Sequence, residues 1–313
     1  MRRILSRKLK AILTGAVIAS AVVSPAVAGD TATFATPDEA VSALIEAVKS
    51  PDALDAIVKV LGNDGREIAA SGDPVQDDAR RARFLSSFDE AHVLQKDGED
   101  RSTLVIGKDE YPFPIPIVKT DGKWRWDTAA GLDQLLTRRI GENELSAIEV
   151  VRTFVAAQLE YADQSRDGKS IQYARRLMSR EGRKDGLFWP TADGEPDSPI
   201  GPLVAKAQAE GYKNKASREN GEAGYHGYVY RMLYGQGKNA PGGARDYIVN
   251  DRMIGGFGLI ATPADYGNSG VMTFIVNQDG NVFEKDLGPD SSRAAQRIRT
   301  FDPDQTWKKI PSE

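Results

Sequence analysis

At 313 residues, with a formal charge of −4, two histidines and no cysteine, the chain has room for one large domain or two ordinary ones. It has no means to build a disulfide framework, thiol chemistry or a histidine-rich zinc site. Its acidity excludes the electrostatic footprint that nucleic acid or an anionic membrane surface requires, so neither is expected as a partner.

Residues 1–10 carry Arg2, Arg3, Arg7, Lys8 and Lys10 with no acid, and residues 11–23 are apolar. Ser24-Pro25 then breaks the run, and Ala26 and Ala28 place small residues before Gly29. This three-part pattern predicts a cleavable secretory signal peptide over 1–28 and a periplasmic or secreted mature chain. Thirteen apolar residues are too few for a spanning helix, which needs about 20. No cysteine follows to carry a lipid, so no stable membrane anchor is expected after cleavage. Loss of the five basic residues moves the formal charge from −4 to −9.

Residues 29–140 read as a first domain. Thr36-Pro37-Asp38-Glu39 is a capping box with proline at the first helical position, and Val41, Leu44, Ile45 and Val48 recur on one face. Ser50-Pro51-Asp52 repeats the start signal for a helix carrying Leu54, Ile57, Val58 and Leu61, which Gly62 stops. A third helix is predicted over 77–91, with Ala82, Phe84, Leu85 and Phe88 inward; the acidic Asp73, Asp77 and Asp78 suit its N-terminal dipole. The period then becomes alternating. Thr103–Gly107 is a short strand, and the prolines at 112, 114 and 116 confine the next segment to a sheet edge. Asp121-Gly122 is a hairpin turn before Trp124 and Trp126. Helices followed by antiparallel strands predict an α+β domain with helices over one sheet face.

Gly141 opens a second predicted domain, 141–313. Leu145, Ile148, Val151, Phe154, Val155 and Leu159 form one stripe of a long helix that ends at Tyr161. Residues 163–222 are polar and read as a long insertion with one helix over 201–211. Strands follow over 225–234, 245–249, 257–262, 271–276 and 282–285, with the clearest turn at Gln278-Asp279-Gly280. The expected class is α+β in two domains, the second a long helix packed on an antiparallel sheet.

Six segments, GKDEYPFPIPIV, KWRWDTAAG, RRIGENEL, DGLFWPTADGEP, GGFGLIATPADYG and VMTFIVNQDGNVFEKDLGPD, resemble in order the bacterial exported family known as domain of unknown function 2950. That resemblance implies export and no activity. Residues 36–140 are also similar in layout to the nuclear transport factor 2 superfamily. Residues 144–287, with Ala157-Gln158-Leu159-Glu160-Tyr161-Ala162 and Phe274 before Asp279-Gly280-Asn281-Val282, resemble the globular part of type IV pilins and major pseudopilins. Arg138-Arg139 stand where pilins have an apolar half-helix, which argues against a filament subunit.

No nucleophile elbow, zinc-binding His-Glu-x-x-His or Walker loop occurs. Gly255-Gly256-Phe257-Gly258 could form an anion-binding nest, but the favoured reading is a close-packed strand start. Trp124, Trp126, His226 and Tyr228 are the candidate ligand-binding residues: exposed indoles stack on sugars or peptides, and His226 among Tyr225, Tyr228, Tyr230 and Tyr234 is a candidate acid or base. The competing reading is that these aromatics are sheet packing. Asp163 and Asp167-Gly168 are a fragment of a calcium loop, short of the 6–8 oxygens that ion requires; no other cofactor is expected. The chain is expected to be a binding or scaffolding module for an envelope protein or small ligand, with no catalytic residue assigned. Two alternatives stay open: a periplasmic hydrolase or isomerase with its site in the first domain, which a cavity filled by Phe113, Trp124 and Trp126 excludes, and a calcium-stabilised pilin-like component.

Overall fold

In the computed structural model, which describes residues 31–164, 172–212 and 223–311, Thr36 caps the first helix by accepting the Glu39 amide at 3.2 Å. Glu39 answers by accepting the Ala35 amide at 2.9 Å, so the capping box forms. Helix α1 (Pro37–Lys49) buries Ala40, Val41, Leu44 and Ile45, and α2 (Ala53–Leu61) packs beside it through Ile57 and Leu61. A short α3 (Gly65–Ala69) leads to α4 (Pro74–Glu90), whose first turn is capped by Asp73 accepting the Gln76 amide at 3.2 Å. Helix α4 departs from the expected packing. Ala82 is exposed, and Phe84, Leu85 and Phe88 are only half-buried, because the helix stands over a cavity instead of closing on the sheet.

The first sheet holds β1 (His92–Lys96), β2 (Arg101–Ile106), β3 (Tyr111–Pro112), β4 (Ile117–Thr120) and β5 (Lys123–Trp126), in the order β1-β2-β4-β5, with β3 paired only to β2. The three prolines place 111–116 at this edge, where missing donors cost no ladder bonds. Asp121 (φ 53°) and Gly122 (φ 78°) form the left-handed turn that joins β4 to β5.

Helix α5 (Thr128–Ala162) is continuous over 35 residues, where the sequence reading starts a new unit at Gly141. A glycine in a helix interior costs only about 1 kcal/mol relative to alanine. Apolar burial on either side exceeds that: Leu135 packs on the first core, and Ala147, Val150, Val151 and Phe154 on the second. The two glycines in α5 predict opposite responses to alanine. A Cβ at Gly131 meets the Pro114 carbonyl oxygen at 2.6 Å, whereas one at Gly141 meets nothing within 4 Å. Gly131→Ala should destabilise by about 1–3 kcal/mol through overpacking, and Gly141→Ala should stabilise by about 0.5–1 kcal/mol. Urea titration of both variants measures the two signs.

Beyond α5, residues 172–212 contribute Ala174, Leu187, Trp189 and Ile200 to the second core and form α6 (Gly201–Ala209). Strands β6 (Ala223–Tyr225) and β7 (Tyr228–Leu233) make a hairpin. Two small pairs follow: β8 (Gly235–Gln236) with β9 (Arg245–Asp246), and β10 (Ile248–Val249) with β11 (Arg252–Met253). They occupy the 245–249 stretch expected as one strand. Then come β12 (Gly258–Pro263), β13 (Met272–Asn277), β14 (Val282–Asp286), α7 (Ser291–Arg297) and β15 (Lys308–Lys309). The six-stranded antiparallel sheet runs β15-β14-β13-β12-β7-β6. Its period-two alternation is complete. Leu259, Ala261, Phe274 and Val276 face the core shared with α5, and Ile260 and Ile275 face a smaller core with Ala295 of α7 and Phe301. The class is α+β, helices on antiparallel sheets.

Polar side chains join the two halves. Arg139 of α5 donates to the Glu67 carbonyl at 2.7 Å and the Ile68 carbonyl at 2.5 Å, and also to Asn268. Asn143 donates to the Ser269 carbonyl at 2.8 Å. Asp73 accepts the Tyr212 hydroxyl at 2.6 Å and the Gly227 amide at 2.9 Å.

Candidate functional site

Helices α1, α2, α4 and α5 meet β2 around a cavity of about 460 Å³. Its apolar wall comes from Leu44, Val48, Ile57, Leu61, Phe84, Ile106, Phe113 and Leu135. Its charged rim comes from two helices. Arg80, Arg81 and Arg83 project from α4, and Arg138 and Arg139 from α5, against the acids Asp77 and Glu142. Five arginines against two acids give this mouth a local positive charge on an acidic chain. Arg81 pairs with Asp78, and Arg138 reaches the Tyr111 hydroxyl and lies over its ring at 5.0 Å.

Arg80 and Arg139 are the electrostatically costly members. Burial, and then the Arg80 charge, push the Arg139 guanidinium down to about 10. Burial also lowers Arg80, opposed by Asp77, whose Oδ1 is 3.9 Å away. Arg80 Nη2 donates to Asn143 at 3.4 Å, while its Nη1 is shielded from solvent and has no hydrogen-bond acceptor. Among the described residues that Nη1 has only the Asp77 carboxylate, at ion-pair and not hydrogen-bond distance, which favours a nearer negatively charged oxygen there.

A second, polar cavity of about 320 Å³ is lined by Gln76, Asn143, Ser146, Glu210 and His226, and shares Arg83 and Glu142 with the first. His226 enters it from the β6–β7 turn, where His226 (φ 49°) and Gly227 (φ 72°) are both left-handed. Its ring stacks on Tyr225 at 3.9 Å, with Nδ1 2.9 Å from Ser146 Oγ and Nε2 2.7 Å from Glu210 Oε2. Burial, and then the Glu210 carboxylate, hold the Tyr225 hydroxyl above its ordinary value.

Of the candidate ligand-binding residues Trp124, Trp126, His226 and Tyr228, His226 is the one that lines a cavity. Trp126 is fully enclosed and donates Nε1–H to the Ala40 carbonyl at 3.0 Å. Trp124 is half-buried, bridged to Phe34 by paired backbone hydrogen bonds, with Lys119 Nζ 5.9 Å from its ring. Tyr228 is buried, and its hydroxyl donates to the Met272 carbonyl at 2.8 Å. The apolar cavity is open: Phe113 forms part of its wall, and Trp126 packs edge-on behind Phe113 at 5.8 Å. His92 is exposed and stacked on Phe88. Asp163 is exposed just past α5, and Asp167 lies outside the described residues, as do Ala26, Ala28 and Gly29. Among the described residues no group of three His, Asp or Glu side chains is placed to hold a metal ion, and no helix is long and apolar enough to cross a membrane.

Comparison with known proteins gives one match. The model of the family described as "Protein of unknown function (DUF2950)" covers residues 31–310. The chain belongs to the DUF2950 family. No curated protein and no solved structure matches this DUF2950 chain. Both cavities fall inside the family match. Of the arginines that distinguish the DUF2950 chain's main cavity, Arg138 and Arg139 stand out in the sequence only as a departure from pilins, and Arg80, Arg81 and Arg83 are not among its candidate site residues. Their signal was Arg80-Arg81-Ala82-Arg83 followed directly by Phe84-Leu85, three cations beside an apolar stripe on one helix.

Proposed function

We propose that this DUF2950 protein is an exported binding module for an amphipathic anion, a single apolar chain ending in a carboxylate or a phosphate. The observation that carries the reading is the Arg80 guanidinium at the rim of an open apolar cavity, whose Nη1 lacks a hydrogen-bond acceptor among the described residues and has only the Asp77 carboxylate at 3.9 Å. The volume falls within the range of small-ligand sites, and a few polar groups at an apolar wall are what such sites use for orientation. An anion between Arg80 and Arg83 offsets the repulsion that the cluster of guanidinium groups carries unliganded.

Laurate displacement of anilinonaphthalene sulfonate, itself an amphipathic anion, tests this. Laurate should bind saturably and at least about tenfold more tightly than dodecanol, since a hydrogen bond to a charged group contributes about 1.5–3 kcal/mol. Arg80→Gln should remove that preference and leave dodecanol unchanged. Equal affinity for acid and alcohol, or no saturable binding, contradicts the reading. Dodecyl phosphate as a parallel ligand separates the two headgroups.

A further inference from the structure

We propose that the polar cavity is a hydrolytic site for acyl esters, with Ser146 as nucleophile, His226 as general base and acid, and Glu210 as the residue that positions the imidazole. Three separate elements bring these groups together: the middle of α5, the β6–β7 turn, and the residue that ends α6. Ser146 Oγ and Glu210 Oε2 lie on opposite nitrogens of one ring, at 2.9 and 2.7 Å. With Nε2–H donated to the carboxylate, the Nδ1 lone pair faces the serine hydroxyl, which is the tautomer that base catalysis needs. The nitrogens are interchanged relative to the serine protease triad, where Nε2 faces the serine; the proton transfer requires only one held N–H and one free lone pair.

Further contacts hold His226 in place. The His226 backbone amide donates to the Tyr212 hydroxyl at 3.1 Å, Tyr212 donates to Asp73, and the imidazole ring lies on Tyr225. A histidine held at positive φ is a strained choice for a turn, and such strain collects where a side chain must point at a site. Arg83, which lines both cavities, is the cationic side chain in this lining and is assigned to the developing oxyanion.

The reaction balances without a cofactor. Ser146 Oγ adds to the ester carbonyl while Nδ1 of His226 takes its proton. The bond to the alkoxide breaks, and His226 returns the proton to the departing alcohol. Water then adds to the acyl-serine, giving its proton to His226, and the carboxylic acid leaves as Ser146 recovers the hydrogen. That the acyl chain lies in the apolar cavity rests on the binding function proposed above. The catalytic assignment does not.

An alkyl fluorophosphonate tests the nucleophile on the full mature chain. The expected result is a phosphonyl adduct on the peptide that contains Ser146, absent in Ser146→Ala and formed at least tenfold more slowly in His226→Gln and Glu210→Gln, with Glu210→Asp partly restoring the rate. p-Nitrophenyl acetate hydrolysis should fall with the adduct. Because the chain has no cysteine, Ser146→Cys introduces its only thiol. Iodoacetamide should alkylate that thiol at least tenfold faster with His226 than with His226→Gln. No adduct on Ser146 in folded protein, or acetate hydrolysis and thiol alkylation indifferent to these variants, overturns the proposal. Hydrolysis of the acetate ester without competition by laurate keeps the catalytic site and removes the acyl-chain assignment.

Discussion

Asp73→Ala should lower the unfolding free energy by about 3–5 kcal/mol, one of the two largest effects expected of a single substitution here. Asp73 is 7% exposed and gathers three donors: the Gln76 amide that starts α4, the Tyr212 hydroxyl and the Gly227 amide. Loss of the cap costs about 1 kcal/mol, and each buried donor left without an acceptor about 1–3 kcal/mol. Relief of the desolvation of the carboxylate itself offsets part of this. Burial, and then the bond to Asp73, raise the Tyr212 hydroxyl above its ordinary value, so it stays a donor through the physiological range. A thermal midpoint roughly 10 °C lower than the parent's is expected, at about 2–4 °C per kcal/mol for a chain of this size class. Asp78→Ala, on the solvent side of α4, is the matched control and should shift the midpoint by no more than a degree or two. Since Tyr212 also accepts the His226 amide, Asp73→Ala should slow phosphonylation of Ser146 even below its melting range. A midpoint within a degree or two of the parent's contradicts this account of the joint.

How much of this was legible follows the range of each interaction. Local signals were sufficient for α1, whose cap, proline and glutamate lie within four residues, and for the β4–β5 turn, where Asp121-Gly122 adopts the two positive φ values its type demands. The edge placement of 111–116 also followed locally, from absent donors. Helix α5 runs unbroken through Gly141, because the energy that carries it through comes from two cores distant in sequence. The sequence pattern runs as strand through His226-Gly227, since histidine is a rare occupant of a left-handed position and only Gly227 hints at the corner. That corner aims His226 at Ser146, 80 residues earlier, and Glu210, 16 residues earlier. Neither partner has a sequence motif, because no fixed spacing connects them. The tryptophans stood out for the opposite reason: large aromatics are conspicuous in sequence, and enclosure by Phe34, Ala40 and Phe113 is not.

The enclosure of Trp126 sets up the second large effect. Trp126→Ala should cost about 3–5 kcal/mol, the range for deleting a buried aromatic. Trp126 is 0% exposed, links β5 to α1 through its bond to the Ala40 carbonyl, and supports Phe113 from behind the cavity wall. Trp124→Ala removes a half-buried ring and should cost about half as much. Ligand binding separates packing from recognition. If the indoles serve the core, Trp124→Ala leaves laurate affinity within about twofold. Trp126→Ala then weakens it only through loss of Phe113 support, so Trp126→Phe, which refills most of the volume, should restore both stability and affinity together. Loss of laurate binding in Trp124→Ala at unchanged stability would instead make the indole a ligand platform and move the site out of the arginine-rimmed cavity.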